Sequence, residues 1–161
     1  MRKKNLFLTF TFAIALLFSL TTTSNAFTLT PTNIVLEKDA SDTVSIVVQN
    51  LPKKSDGITV NAVSVTLDSK NVRITEFREA DGIISIPICD NGAKYTDTQI
   101  CADLAATSPF TSGQILATFK VIKTSDEDGE ITVNTESKYS DGTAVDTKTI
   151  VKIFGPASKV E

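Results

Sequence analysis

The chain has 161 residues, 41% of them hydrophobic and 22% charged, with 16 Lys and Arg against 19 Asp and Glu. It has no histidine and no tryptophan, which removes Ser-His-Asp and Cys-His catalysis, the commonest zinc ligand, and indole stacking on sugars or bases. A net charge of −3 with no basic stripe argues against a nucleic-acid partner.

Arg2, Lys3 and Lys4 precede an apolar run from Leu6 to Leu20, interrupted only by Thr9, Thr11 and Ser19. Ser24-Asn25-Ala26 then places small residues at the −3 and −1 positions of a cleavage site. That order predicts a secretory signal peptide over residues 1–26, with the uncleaved segment acting as an anchor as the other reading. Cleavage leaves 161 − 26 = 135 residues with a charge of 13 − 19 = −6, since three cations and no acids are removed. No second long apolar stretch follows, so the expected product is secreted, with no membrane segment after cleavage and a place at the cell surface left open. A chain of this size buries one ordinary core, and residues 27–154 are expected to form one domain.

From there the pattern is one of strands and turns. Val44, Ile46 and Val48 alternate with polar neighbours, then Val63, Val65 and Leu67, and the Asp56-Gly57 turn signal lies between these runs. Asp81-Gly82 and Asn91-Gly92 mark further turns, and Ala102 to Ala106 is the one place where a short helical turn is expected. Ile115, Ala117, Phe119 and Val121 alternate again, as do Ile131 and Val133, with Val151 and Ile153 closing the last strand. Asp128-Gly129 and Asp141-Gly142 supply the intervening turns. Pro31, Pro52, Pro87 and Pro109 fit strand starts, edges or loops, because proline donates no ladder hydrogen bond. The fold class that follows is all-β: an antiparallel two-sheet β-sandwich, jelly-roll-like, of about nine strands. Residues 155–161 read as a C-terminal tail.

Cys89 and Cys101 are the only cysteines, and in an exported chain an even count reads as one disulfide. It closes a loop of about a dozen residues, which the chain-entropy model values at roughly 3 kcal/mol. The loop carries Lys94 and Tyr95, a stapled tip suited to recognition, or simply an insertion kept in order. Ser125 to Glu130 gathers four carboxylates in six residues, but the spacing is not that of a twelve-residue calcium loop, so a solvated hairpin turn is expected and no metal. Tyr139, just before Asp141-Gly142, is expected to be half exposed, and Phe110 to cover one end of the core.

The order of segments resembles a cohesin-like module, of the β-sandwich superfamily that includes carbohydrate-binding modules. FTLTPTNIVLEKDASDTVSIVVQNLP is similar to that family's first two strands. GITVNAVSVTLDSKNVRITEF resembles the stretch in which a strand ends at an aromatic-Asp-Pro turn and continues. Leu67 here stands for the aromatic and Ser69 for the proline, so Asp68-Ser69 is expected to make an Asx-type turn. SPFTSGQILATFKV matches a Gly-led strand running apolar-x-apolar-x-Phe-Lys, and EITVNTESKYSDGTAV the next strand with its Asp-Gly turn. The resemblance spans nearly all of residues 27–154. It implies binding of a dockerin module through a flat sheet face, with polar groups around Val60, Asn61 and Ala62, of which only Asn61 keeps an amide. It also implies carbohydrate as the partner in related surface proteins.

The function expected is therefore a secreted, non-catalytic binding module without a cofactor, taking a carbohydrate or a dockerin-type protein. Asn61, Lys94, Tyr95 and Tyr139 are the candidate partner-binding residues. The alternative is a structural surface-layer or adhesin block that self-associates through strand edges. A hydrolase built on paired carboxylates would require two acids facing a cleft, and no such pair stands out in the sequence.

Overall fold

A computed structural model describes residues 26–51, 57–145 and 147–155. The expected signal segment up to residue 25, Pro52, Asp56 and the tail beyond Gly155 lie outside the described residues.

Ten strands follow one another: β1 (Phe27–Thr30), β2 (Asn33–Val35), β3 (Ser41–Val48), β4 (Ala62–Lys70), β5 (Val72–Glu79), β6 (Ile83–Pro87), β7 (Gln99–Ala106), β8 (Ile115–Lys123), β9 (Gly129–Ser137) and β10 (Thr147–Phe154). They build a four-stranded sheet in the order β1-β3-β8-β5 and a six-stranded sheet in the order β2-β10-β9-β4-β7-β6. Every neighbouring pair is antiparallel except β2 and β10, which run parallel. The all-β sandwich expected from the alternation is the fold found. The opening segment forms three strands where two were expected, because the chain leaves the first sheet at Thr30-Pro31 and resumes as β2 in the second.

Period-two side chains meet between the sheets. Phe27, Leu29, Ile46, Leu67, Phe119 and Ile131 are each at most 1% exposed. A T-shaped contact between Phe27 and Phe110, with centroids 6.2 Å apart, closes one end of this core. Near the end of β8, Lys123 is also buried, and its ammonium donates to the Asp126 carbonyl at 3.3 Å.

Three local expectations are corrected. Ala102 to Ala106 belongs to β7: Ile100, Ala102 and Leu104 face the core and Cys101, Asp103 and Ala105 do not, so period two overrides the helix preference of alanine. The chain does not turn at Asp68-Ser69; β4 runs on to Lys70, and the corner falls at Asn71, in the left-handed region at φ 57°. There the Asn71 Nδ2 donates to the Asp128 carbonyl at 3.0 Å, tying the corner to the acidic loop. That loop is not a hairpin, since β8 and β9 lie in different sheets. Gly129 is needed there for close approach: a Cβ would stand 2.5 Å from Val72 Cγ2.

Candidate binding face

Side chains directly opposite each other in a sheet share a face, so the register defines the outer surface of β6, β7, β4 and β9. One row across it is Ile84, Ala105 and Ala62, and the next is Ile86, Asp103, Ser64 and Glu136. Thr66 then stands between Cys101 and Asn134, and Asp68 between Gln99 and Thr132. Small residues at Ala62, Ser64 and Ala105 leave a depression of about 530 Å³, walled by Ile86 on one side and by Glu136 and Lys138 on the other. Within it the Ser64 hydroxyl donates to Asp103 Oδ1 at 2.5 Å. Ile84, Ile86 and Ile88 are 61%, 56% and 43% exposed, a run of uncovered apolar side chains along one rim. The four strands contain no aromatic residue. Three strand spacings of about 4.8 Å make the face roughly 14 Å wide, which matches a helix with its side chains.

The rim strand does not invite another strand. Pro87 has no N–H to give, and the Ile83 N–H is already spent on the Ala80 carbonyl at 3.0 Å. What β6 offers is the side chains it turns onto the outer face.

Cys89 and Cys101 form a disulfide, with Cα atoms 5.0 Å apart. The loop it closes leans across to the other sheet. The Ser69 N–H donates to the Thr98 carbonyl (2.8 Å) and the Ile74 N–H to the Asp97 carbonyl (2.7 Å), which links the loop to β4 and β5. The ring of Tyr95 lies 6.0 Å from that of Phe77, and both the Lys94 ammonium and the Ser85 hydroxyl donate to Oε1 of Glu79. Lys94 and Tyr95 are thus joined to β5 and do not stand on the outer face. Asn61 is exposed just before β4, and its carbonyl accepts from the Ala106 N–H at 2.9 Å. Tyr139, expected to be half exposed, is only 5% exposed, because the tight turn from Tyr139 to Thr143 folds its ring inward; that ring has no face for a sugar. Burial, with the Asp141 charge, raises its hydroxyl pKa. The structure therefore does not gather the four expected residues into one site. The residues that do converge, Ile86, Asp103, Ser64 and Glu136, come from four separated strands.

The hydrogen bond from Lys94, followed by that from Ser85, holds the Glu79 carboxyl at about 2 against an ordinary 4.5. A depressed carboxylate contributes stability that is complete above the unfolded value, near 4.5, and is lost as pH falls through the folded value, near 2. Because Lys94 is 40% exposed, the contribution is set at about 1 kcal/mol. Urea unfolding midpoints measured from pH 6 to pH 2 should fall less steeply in Glu79→Gln than in the parent. Parallel slopes for the two proteins would remove Glu79 from the acid response.

No family model matches the sequence, and no curated protein matches it either. Solved structures do match its fold. A cohesin module from a family 33 glycoside hydrolase of Clostridium perfringens aligns with a TM-score of 0.55 at 11% identity, over 83% of this chain and 100% of that one. A chain of a type I cohesin–dockerin complex from Clostridium thermocellum gives 0.56 at 10% identity, over 81% and 97%. The sixth cohesin of scaffoldin B from Acetivibrio cellulolyticus, solved with a dockerin, gives 0.54 at 12%, over 81% and 99%. The fold is cohesin-like. Identities this low establish the cohesin-like architecture and carry over no residue's role.

Proposed function

We propose that this chain is a non-catalytic, cohesin-like binding module that seats a helical, dockerin-type protein module on the outer face of β6, β7, β4 and β9. The observation that carries the reading is the floor of Ala62, Ser64 and Ala105 beside the uncovered Ile84 and Ile86. Small side chains let a partner backbone come close, and isoleucines at the rim supply apolar area for one stripe of a helix. Asp103 and Glu136 suit a cation on the partner beside that stripe. A protein partner is favoured over a sugar on this face because none of its four strands carries an aromatic ring. In this reading the module is exported, with cleavage after Ala26, and works outside the cell or at its surface. The Cys89–Cys101 bridge suits an oxidising compartment.

Calorimetric titration of the chain with a panel of purified dockerin modules tests this directly. One-to-one binding is expected for at least one of them, weakened by about 30-fold or more in Ile86→Asp, because the change removes apolar area and sets a second carboxylate beside Asp103. Ile86 is 56% exposed, so circular dichroism should show an unchanged fold. Binding unaffected by Ile86→Asp, or binding to none of the panel, would sink the reading. Concentration-dependent sedimentation abolished by Ile86→Asp would instead assign the same isoleucines to contacts between copies.

A further inference from the structure

The outer face of the other sheet has a different chemistry. Register places Thr30, Ser45, Thr118 and Arg78 in one row across β1, β3, β8 and β5. The next row is Thr43, Lys120 and Thr75, and the one after it Ser41, Ile122 and Arg73. Five hydroxyls, besides the one on Thr75, and three cations therefore share this surface, in a chain whose acids outnumber its bases 19 to 16. Among the described residues one acid faces them: Glu76, on the bulge of β5, 3.4 Å from the Lys120 ammonium and 4.0 Å from the Arg78 guanidinium. Arg73 and Arg78 are exposed, the latter at 76%, and lie about 13 Å apart along the sheet, since their partners Ile122 and Thr118 are four residues apart at about 3.3 Å per residue. The Thr75 hydroxyl is enclosed without a hydrogen-bond partner.

We propose that this face binds an acidic polysaccharide, a chain of uronate sugars lying across β3, β8 and β5. Guanidinium groups bind carboxylates in a bidentate manner, and each hydroxyl both donates and accepts, so a ligand that repeats carboxylate and hydroxyl along its length meets both kinds of group. The excess of cations on this face in an otherwise acidic protein supplies the charge complementarity. The inward rings Phe77 and Phe119 are buried, so the contact is made by charge and hydrogen bonds, as suits a single soluble strand and not a crystalline surface. This site lies on the sheet opposite the protein-binding face, so the two readings stand or fall separately.

Affinity electrophoresis through gels containing polygalacturonate, its methyl ester, or polyglutamate tests the inference. The expected result is retardation by polygalacturonate, little by the neutral ester, and less by polyglutamate, which has the charge without the hydroxyls. Arg73→Ala combined with Arg78→Ala should weaken retention about tenfold, and salt should weaken it in the parent. Thr43→Val with Thr118→Val should weaken it while leaving the charge intact, and Ile86→Asp should leave it unchanged. Absence of retardation by polygalacturonate, full retention by the double arginine variant, or equal retention by polyglutamate would each overturn the proposal. All the substituted side chains lie on the sheet surface, and a thermal melt of each variant verifies its fold.

Discussion

Replacing Cys89 and Cys101 together by alanine is expected to lower stability by about 3 kcal/mol and Tm by roughly 10 °C. The chain-entropy part of this follows from the separation of 12 residues and acts on the unfolded chain, which gains freedom when the link is gone. The native state is affected as well, because the loop is the main tie between β6–β7 and β5 on the opposite sheet. The Lys94–Glu79 pair, the Tyr95–Phe77 contact and the backbone bonds from Ser69 and Ile74 all depend on its path. Urea unfolding of the oxidised, reduced and double-alanine proteins measures the total. Following the Glu79 carboxyl by NMR separates the two effects: a titration that stays near 2 means that the folded loop holds its shape without the bridge, and one that climbs towards 4.5 means that it does not. A total change under 1 kcal/mol would show that the non-covalent contacts alone set the loop.

The same loop bears on the candidate face. Cys101 stands opposite Thr66, so the bridge lies on the outer surface of the six-stranded sheet, and a second depression of about 350 Å³ opens beside it among Thr66, Ile88, Asn91 and Gln99. Beyond Pro87 the Ile88 N–H still donates to the Cys101 carbonyl at 3.0 Å, and the bridge adds a covalent link at the same point.

Strand existence was legible wherever one face is buried and the other wet. Val63, Val65 and Leu67 are at most 2% exposed while Thr66 and Asp68 face out, as a clean alternation requires. Which strand lies beside which was not legible, because partners are remote in the chain: Val63 pairs with Ser137, and Ser41 with Ile122. Consecutive strands change sheet at Asn71, between β5 and β6, and again between β8 and β9, so turn residues that suggest hairpins serve as crossings. Gly129 illustrates the difficulty: an Asp-Gly pair reads as a turn, yet this glycine yields space to Val72. The candidate face was hidden for the same reason. Ser64, Ile86, Asp103 and Glu136 carry no local motif, and Ile83-Ile84-Ser85-Ile86 reads as an apolar run in which the outward isoleucines cannot be told from inward ones. The single-residue candidates were chosen by type and by turn position, which says nothing about what lies above a side chain. Tyr139 is covered and Tyr95 is engaged with Phe77.

The largest single-residue effect is expected at the start of the domain. Phe27 is the first residue of β1 and is 0% exposed; its ring meets Phe110, itself 5% exposed, edge to face. Phe27→Ala removes the ring and leaves a void that the surroundings fill only in part, at a cost of about 4 kcal/mol. That is a large share of the 5–15 kcal/mol typical of a whole domain. The void resists closing because both partners are held by backbone. Phe27 pairs with Val48 in the ladder, and the Phe110 N–H donates to the Val60 carbonyl at 2.7 Å. Phe110→Ala should cost less, since that ring sits at the rim of the core. The double variant should be less unstable than the sum of the two by about 1 kcal/mol, the coupling expected of an edge-to-face pair. Urea denaturation of the four proteins at equal m closes the cycle. A loss below 2 kcal/mol in Phe27→Ala would mean that Phe110 moves into the space, and strict additivity would mean that the two rings contribute independently. In either outcome the aromatic contact would not be what anchors β1 to the sandwich.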